Sequence, residues 1–408
     1  MTSREAREGR GCPVVDVNLY TPGSVMSHAE AFDDLRKHGP IVWATGGARG
    51  FWVLTEAGMI REALQHPDMF SSSVNMDLLT AAPGSPVADE PGYNWIPQML
   101  DPPEHTRWRQ LLAPHFAPKP MESIEPKVRA RCREIIDTFT ARGSCDFMRD
   151  FAWRYPTTIF MELMGLPLDG LEQFLQWEHD ILHASADKNP DRSKAYGAMM
   201  AVQKYFAELI EEKRSNPGED LLTTALTWKL DGEPIRHEDM LSLCLLMFMA
   251  GLDTVSTQLA YSFWYLADHP LDKARLVADP SLIPGAVEEF LRFFAFVPPP
   301  RRVARDTDFH GCPMKKGDAV VLPMSAANRD PAVCERPTEV VIDRPNINHI
   351  AFGAGPHRCL GSHLARRELR VALEEWHQRI PNYRLADTDV TEHGGIWGID
   401  ALSLVWDV

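Results

Sequence analysis

The sequence predicts a mainly α-helical fold with small β-sheets, and three observations predict it. Apolar residues recur with a period near 3.6 in segment after segment, whereas alternating, strand-like stretches are few and short. One helical segment, Glu238 to His269, spans about 32 residues and so reaches roughly 48 Å at 1.5 Å per residue, the width of a whole domain of this size. The chain of 408 residues, 44% hydrophobic and 24% charged, is large enough to enclose a cofactor in a deep core.

In chain order, the helices are expected at Ala29–Lys37, Glu56–Gln65, His105–Phe116, Ile124–Arg142, Asp220–Leu226, Glu238–His269, Leu271–Ala278, Pro284–Phe294 and Leu360–Ile380. Strands are expected at Ile41–Trp43, Gly50–Leu54, Arg302–Ala304, Asp318–Leu322 and Leu402–Val405. The Pro-rich stretches, Pro83 to Pro103 and Val297 to Pro300, are too short to separate folding units. A single domain over 1–408 is the expectation, with residues 1–15 disordered. The long segment must cross the interior, because its middle, LCLLMFMAGLDTVSTQLA, is apolar nearly all round. Gly251, Asp253 and Thr254 at its centre cost helix stability and so need a reason.

Composition narrows the function. Lys plus Arg number 42 against 57 Asp plus Glu, a net charge of −15 that repels nucleic acid and anionic membranes. The seven cysteines are scattered and contain no CxxC pair, so neither a disulfide framework nor a zinc ribbon is expected, and a reducing cytoplasm fits. The N-terminus, MTSREAREGRGCPVVDV, lacks the apolar core of a signal peptide. The longest nearly unbroken apolar run, Met240 to Leu252, is too short for a bilayer. A cytoplasmic protein with no membrane anchor is expected.

The chemistry concentrates in FGAGPHRCLG, residues 352–361, which leads into the helical pattern SHLARRELRVALEEW. Cys359 therefore lies at or just before a helix N-terminus, where the dipole and free N–H groups favour a thiolate. Gly353, Gly355 and Gly361 allow the backbone close to a flat group, and Pro356 stiffens the loop. A lone buried cysteine is more often a small hydrophobe, but the pattern FGxGxHxCxG is far more specific. On it the chain resembles the cytochrome P-450 haem-thiolate monooxygenases, which implies that family's fold, a haem b cofactor, and Cys359 as the axial iron ligand.

The resemblance runs on in order through the chain. Glu289-Phe-Leu-Arg292 resembles the family's ExxR pair, one helical turn apart, with Arg344 as third member of a structural triad. His105, Arg109, Arg301 and His357 match positions that neutralise the two haem carboxylates, while Phe352, Gly353, Gly361 and Ala250 match positions that line the cofactor. Ala250-Gly-Leu-Asp253-Thr254 resembles the dioxygen-activating segment. Oxygen activation needs protons delivered without flooding the site with water. Asp253 and Thr254 are the implied relay, and Gly251 is expected to let the helix open locally.

Within the family the chain is most similar to the bacterial camphor 5-monooxygenase group, over Asp16 to Asp407, including DPPE, GLDTV, SHLARRE and LSLVWD. That likeness places Tyr93 as a polar anchor for a substrate carbonyl, with a packed core tyrosine as the rival reading. It places Trp95, Leu246, Met249, Ala250, Val297, Ile396 and Trp397 in the pocket wall. Met249 for valine, Ala250 for glycine, Trp95 for phenylalanine and Pro299 for an acidic residue depart from that group and put camphor itself in doubt. A compact terpenoid or similar cyclic ketone is expected to be hydroxylated with dioxygen.

Electrons are expected from an iron-sulfur ferredoxin and its NAD(P)H-dependent reductase, with Arg109, Arg358, Arg366 and Arg367 forming a basic docking patch on a monomeric enzyme. A haem-thiolate peroxygenase or isomerase, or a non-catalytic haem carrier, would share Cys359 but has little use for Asp253 and Thr254.

Overall fold

The computed structural model describes residues 12–17, 23–75, 77–80, 86, 88–89, 94–183, 193–393 and 397–408. Its helices of nine residues or more are α1 (Ser27–Arg36), α2 (Ala57–Gln65), α3 (Glu104–Leu112), α4 (Glu125–Asp137), α5 (Arg154–Met164), α6 (Ser193–Ser215), α7 (His237–Asp268), α8 (Pro270–Ala278), α9 (Ile283–Phe293) and α10 (Ser362–Arg379). The largest sheet contains β1 (Val14–Val15), β2 (Ile41–Ala44), β3 (Phe51–Leu54), β4 (Phe70–Ser71), β5 (Pro300–Val303) and β6 (Ala319–Val321), in the order β1-β2-β3-β6-β5-β4. The mainly α class with small sheets is as the sequence predicts.

The central helix sits where its composition requires. α7 runs unbroken from His237 to Asp268, and its buried residues occupy every face. Its 18-residue apolar window, of mean hydropathy 1.6, is long enough to cross a membrane, but 61% of that window is buried by other parts of the fold. Two hydrophobic clusters meet on it. Met240, Leu243, Cys244, Leu245, Phe248, Met249 and Leu252 belong to one, with Ile96, Trp108, Phe160 and Phe206. Val255, Leu259, Ala260, Tyr261, Phe263 and Leu266 belong to the other, with Phe147, Phe294, Trp376 and Leu404. Asp253 and Thr254 stand at the seam.

Two long helices escape the sequence reading for physical reasons. α5, RYPTTIFMELM, buries Tyr155 through Met161 on all sides, so no amphipathic stripe marks it, and Pro156 reads as a breaker although it sits in the first turn, where no N–H is needed. α6 opens its buried face with the small residues Ala195 and Ala198 and carries Gly197 between them, which blunts its period. Conversely, the expected helix Ile124–Arg142 is α4 followed by a 3₁₀ turn at Thr140–Arg142, closed by Gly143 in the left-handed region at φ 71°.

Two expectations about the N-terminal region are corrected. Residues 12–15 are ordered: β1 pairs in parallel with β2, and the Trp43 N–H donates to Pro13 O at 2.8 Å. Cys12 is disulfide-bonded to Cys312, with Cα atoms 5.9 Å apart. Their separation of 300 residues is why no local spacing announced the pair. The remaining residues of 1–15 lie outside the described residues.

Candidate active site

The cysteine loop is shaped by its backbone. Gly353 and Gly355 adopt φ of 73° and 69°. A side chain at Gly355 would meet Leu64 O of α2 at 2.4 Å, so the loop is pressed onto that helix. The Cys359 N–H donates to Phe352 O at 2.8 Å and the Gly353 N–H to Ile350 O at 2.8 Å, folding the segment back on itself. Gly361 is the N-cap position of α10, and its carbonyl accepts the Ala365 N–H at 2.9 Å. Cys359 thus stands three residues before the helix, as expected from the sequence.

Its thiol is not depressed by the protein alone, however. The side chain is accessible to water, yet the surrounding walls desolvate it, and this burial pushes the Cys359 thiol up. The Gly361 N–H, Arg109, Arg358 and Arg366 act in the opposite sense without prevailing.

Around this loop four basic side chains converge. His105 and Arg109 lie one turn apart on α3, Arg301 is on β5, and His357 is in the loop. The rings of His105 and His357 are 3.9 Å apart. Burial, reinforced by Arg109, pushes His105 down to about 4. Burial, with Arg301, His105 and Arg109, pushes His357 down to about 2. Arg301, only 7% exposed, is pushed down to about 10 by burial and donates to Pro300 O at 2.7 Å. His105 Nδ1 and His357 Nε2 are buried without a partner. None of the four side chains donates to a carboxylate among the described residues; nearby Asp101 instead accepts from Ser71 Oγ and the Ser72 N–H. Such a cluster is complete only with an anion.

On α7, Ala250 is exposed in the middle of a buried helix, and Met247, Gly251 and Thr254 are half-buried beside it. These residues share one face at three- and four-residue spacing, so the fold leaves one stripe of its central helix open. Asp253 is 3% exposed. The Thr254 hydroxyl donates to Ala250 O at 3.2 Å. The helix is continuous through Gly251, so the expected local opening is absent. Phe160 of α5 fills the space there, 3.1 Å from where a side chain at 251 would begin.

The proposed pocket wall divides. Leu246 and Met249 are buried on α7 and Val297 is half-buried. Trp95 is half-buried with its indole Nε1 unpartnered, and its segment is tied to α7 because Ser242 Oγ accepts the Ile96 N–H and donates to Asn94 O. Trp397 does not line an open wall: it is 2% exposed, stacked on His28 at 5.0 Å and edge-on to Phe32 at 5.6 Å. Tyr93 and Ile396 lie outside the described residues.

Two arginines of the expected basic patch are engaged in ion pairs. Arg366 makes a bidentate ion pair with Glu288, at 2.6 and 2.9 Å, and Arg367 pairs with Glu125. Glu125 also pairs with Arg129 and Arg370, so three cations share that one acid, and among the four only Arg358 is exposed.

Behind the loop, Glu289 is fully buried and accepts from Arg292 Nε and Nη2 at 2.8 and 2.7 Å, Arg344 Nε at 2.9 Å and the Val341 N–H at 2.8 Å. Arg292 also donates to the carbonyls of Asn328, Pro337 and Glu339. Every polar group of this triad is satisfied, the condition under which buried charges are tolerated.

A family model, Cytochrome P450, matches residues 19–279 and 279–379. The chain belongs to the cytochrome P450 family. Among similar proteins, "Probable cytochrome P450 127A1" of Sinorhizobium fredii is 34% identical over 367 residues, covering 89% of this chain and 85% of that protein. "Vitamin D(3) 25-hydroxylase" of Pseudonocardia autotrophica is 32% identical over 342 residues, covering 82% of each. Among solved structures, CYP101J2 has a TM-score of 0.86 at 30% identity and CYP101C1 0.86 at 31%, each covering 98% of this chain and 99% of the other.

This P450 is therefore a monooxygenase with the P450 fold, whose cofactor is haem b held through a cysteine thiolate. The site fits that group on its own geometry. Two orphaned histidine nitrogens and a buried arginine that donates to no carboxylate meet the need of a cofactor with two carboxylates, and a glycine-shaped cysteine loop lies beside them. Sequence reasoning missed Glu288 and His349, which bond each other at 3.0 Å behind the loop. The only signal was the doubled acid Glu288-Glu289 on α9.

Proposed function

We propose that this P450 hydroxylates a compact apolar substrate, a terpenoid or related cyclic ketone, with Cys359 as the residue that would hold the iron of its haem. The observation that carries the reading is the open stripe on α7: exposed Ala250 with Thr254 beside it and buried Asp253 behind, in the middle of a helix whose central residues are otherwise buried or half-buried. Haem b supplies the dioxygen-activating chemistry when bound.

The protein's part is to hold the cofactor, exclude water and move protons. His105, Arg109, Arg301 and His357 receive the two cofactor carboxylates. Phe352, Gly353 and Gly361 shape the loop on the sulfur side, and Ala250 leaves room opposite. Asp253 would supply protons to Thr254 Oγ1, whose hydroxyl donates to the Ala250 carbonyl and would turn from it to hand a proton into the open stripe. Leu246, Met249 and Val297 exclude water from the substrate. The Trp95 indole N–H offers a donor for a substrate oxygen, beside Tyr93, which the family resemblance puts in that role. The electrons come from an iron-sulfur ferredoxin and an NAD(P)H-dependent reductase, and the enzyme works as a cytoplasmic monomer.

The test is spectroscopic. The dithionite-reduced protein under carbon monoxide is expected to show the strongly red-shifted Soret band of thiolate ligation, and Cys359→Ala to lose it; a Cys359→Ala protein that keeps the band overturns the assignment. A screen of terpenoids for a low-to-high-spin shift then identifies the substrate class.

A further inference from the structure

We infer that Arg366, with Glu288 and His349, is a positioning residue that braces the cysteine loop from behind and so sets the environment of the Cys359 sulfur. The inference rests on Cys359 being the haem ligand.

The geometry is a closed chain of contacts between α9, α10 and the loop. Arg366 on α10 places both sides of its fork on the Glu288 carboxylate of α9, Nε on Oε1 at 2.6 Å and Nη2 on Oε2 at 2.9 Å. Its guanidinium carbon lies 4.5 Å from the centre of the Phe352 ring, within cation–π range. Phe352 O is the acceptor of the Cys359 N–H at 2.8 Å. Whatever holds the Phe352 ring thus holds the carbonyl that anchors the cysteine backbone.

His349 fixes the other end of the same segment. Its Nδ1 accepts the Ala351 N–H at 3.1 Å and its Nε2 is 3.0 Å from Glu288 Oε2. Only one neutral tautomer, with the proton on Nε2, satisfies both bonds. The Ile350 N–H donates to Asn328 Oδ1 at 2.8 Å. Residues 349–352 are therefore pinned by side chains from outside the loop, and one carboxylate, Glu288, is shared between the two pins. A planar fork over an aromatic ring is a task for arginine and not for lysine.

This role competes with docking, since an arginine on this helix can equally be read as a surface charge for an electron donor. The two readings separate on Glu288→Gln, which keeps the arginine charge and removes its anchor. Wild type, Arg366→Lys, Arg366→Ala, Glu288→Gln and the double variant Arg366→Ala/Glu288→Gln are reduced with dithionite, which needs no protein donor. The persistence of the red-shifted carbon monoxide band on mild heating and the haem reduction potential are then measured, with far-ultraviolet circular dichroism as the check on folding.

A brace predicts that Glu288→Gln and Arg366→Ala each lose the band about tenfold faster than wild type, the size of coupling expected within one ion-pair network, and shift the potential in the same direction. The double variant is then no worse than either single one, and Arg366→Lys is intermediate. Bands as persistent as wild type and an unmoved potential in Glu288→Gln overturn the brace. A wild-type protein that lacks the red-shifted band brings down the Cys359 assignment first, and the brace with it.

Discussion

The imidazoles of His105 and His357 lie 3.9 Å apart, centroid to centroid and tilted by 33°, and each keeps a buried ring nitrogen without a protein partner. Both are driven to the neutral form by burial among Arg109 and Arg301. A neutral imidazole donates one hydrogen bond, so His105 offers a donor without adding charge to a crowded cationic site, whereas His357, whose ring already bonds the Leu100 backbone, donates from Nε2 only once protonated beside an anion.

Removing those donors is expected to weaken cofactor retention and leave the fold intact. His105→Phe and His357→Phe keep ring volume, and each is expected to raise the rate of haem transfer to apomyoglobin about tenfold, for the loss of one hydrogen bond to a charged group. Transfer as slow as wild type would show that the orphaned nitrogens face something other than the cofactor.

The buried triad gives a stability prediction. Glu289→Gln leaves Arg292 and Arg344 facing a neutral amide, and breaking a buried pair in this way costs about 3–5 kcal/mol. A lowered urea midpoint with an unchanged slope is the expected result. A midpoint equal to wild type contradicts the arrangement.

Acid stability follows from three depressed carboxylates. Burial raises Glu288, Glu375 and Glu392, but hydrogen bonds to each outweigh it: His349 and Arg366 at Glu288, Arg133, Arg129 and Arg379 at Glu375, and His28 and Ser27 at Glu392. All three end pushed down to about 2, from the usual 4.5. A carboxylate whose folded value is depressed contributes stability that is fully present above its unfolded value and is lost as protons bind on acidification. The protein is therefore expected to hold its stability down to pH about 4.5 and lose it progressively toward pH 2. Glu392→Gln, read by circular dichroism across that range, is expected to flatten the slope; an unchanged slope argues that the Glu392 cluster is not formed.

The proton relay is tested by counting products. Thr254→Ala is expected to keep NAD(P)H consumption while diverting electrons to hydrogen peroxide, and Asp253→Asn to slow turnover about a hundredfold, within the range of general acid–base contributions. Product formed per NAD(P)H equal to wild type in Thr254→Ala removes the hydroxyl from the mechanism.

The sequence makes the site more legible than the scaffold around it. Cys359, the ExxR pair and the Asp253-Thr254 segment are local patterns, so the residues that carry chemistry can be read without knowing what packs on them. α5 is hidden because a helix buried on every side has no polar face to give it a period. Cys12 and Cys312, 300 residues apart, and the Glu288 pairing of Arg366 are tertiary facts that no spacing records. Arg366 and Arg367 show the same limit from the other side: as sequence they are a basic run, and only the fold reveals the acids opposite.

The division of α7 between two hydrophobic clusters has an evolutionary consequence. Residues before Asp253 pack with one body and residues after Thr254 with the other. Core substitutions couple to neighbours in contact and add independently when they are far apart. Changes among Phe160, Phe206 and Met249 are therefore absorbed within their own cluster, while Phe263, Phe294 and Trp376, in the other, keep their packing. A lineage built this way can alter one half of its core without disturbing the other.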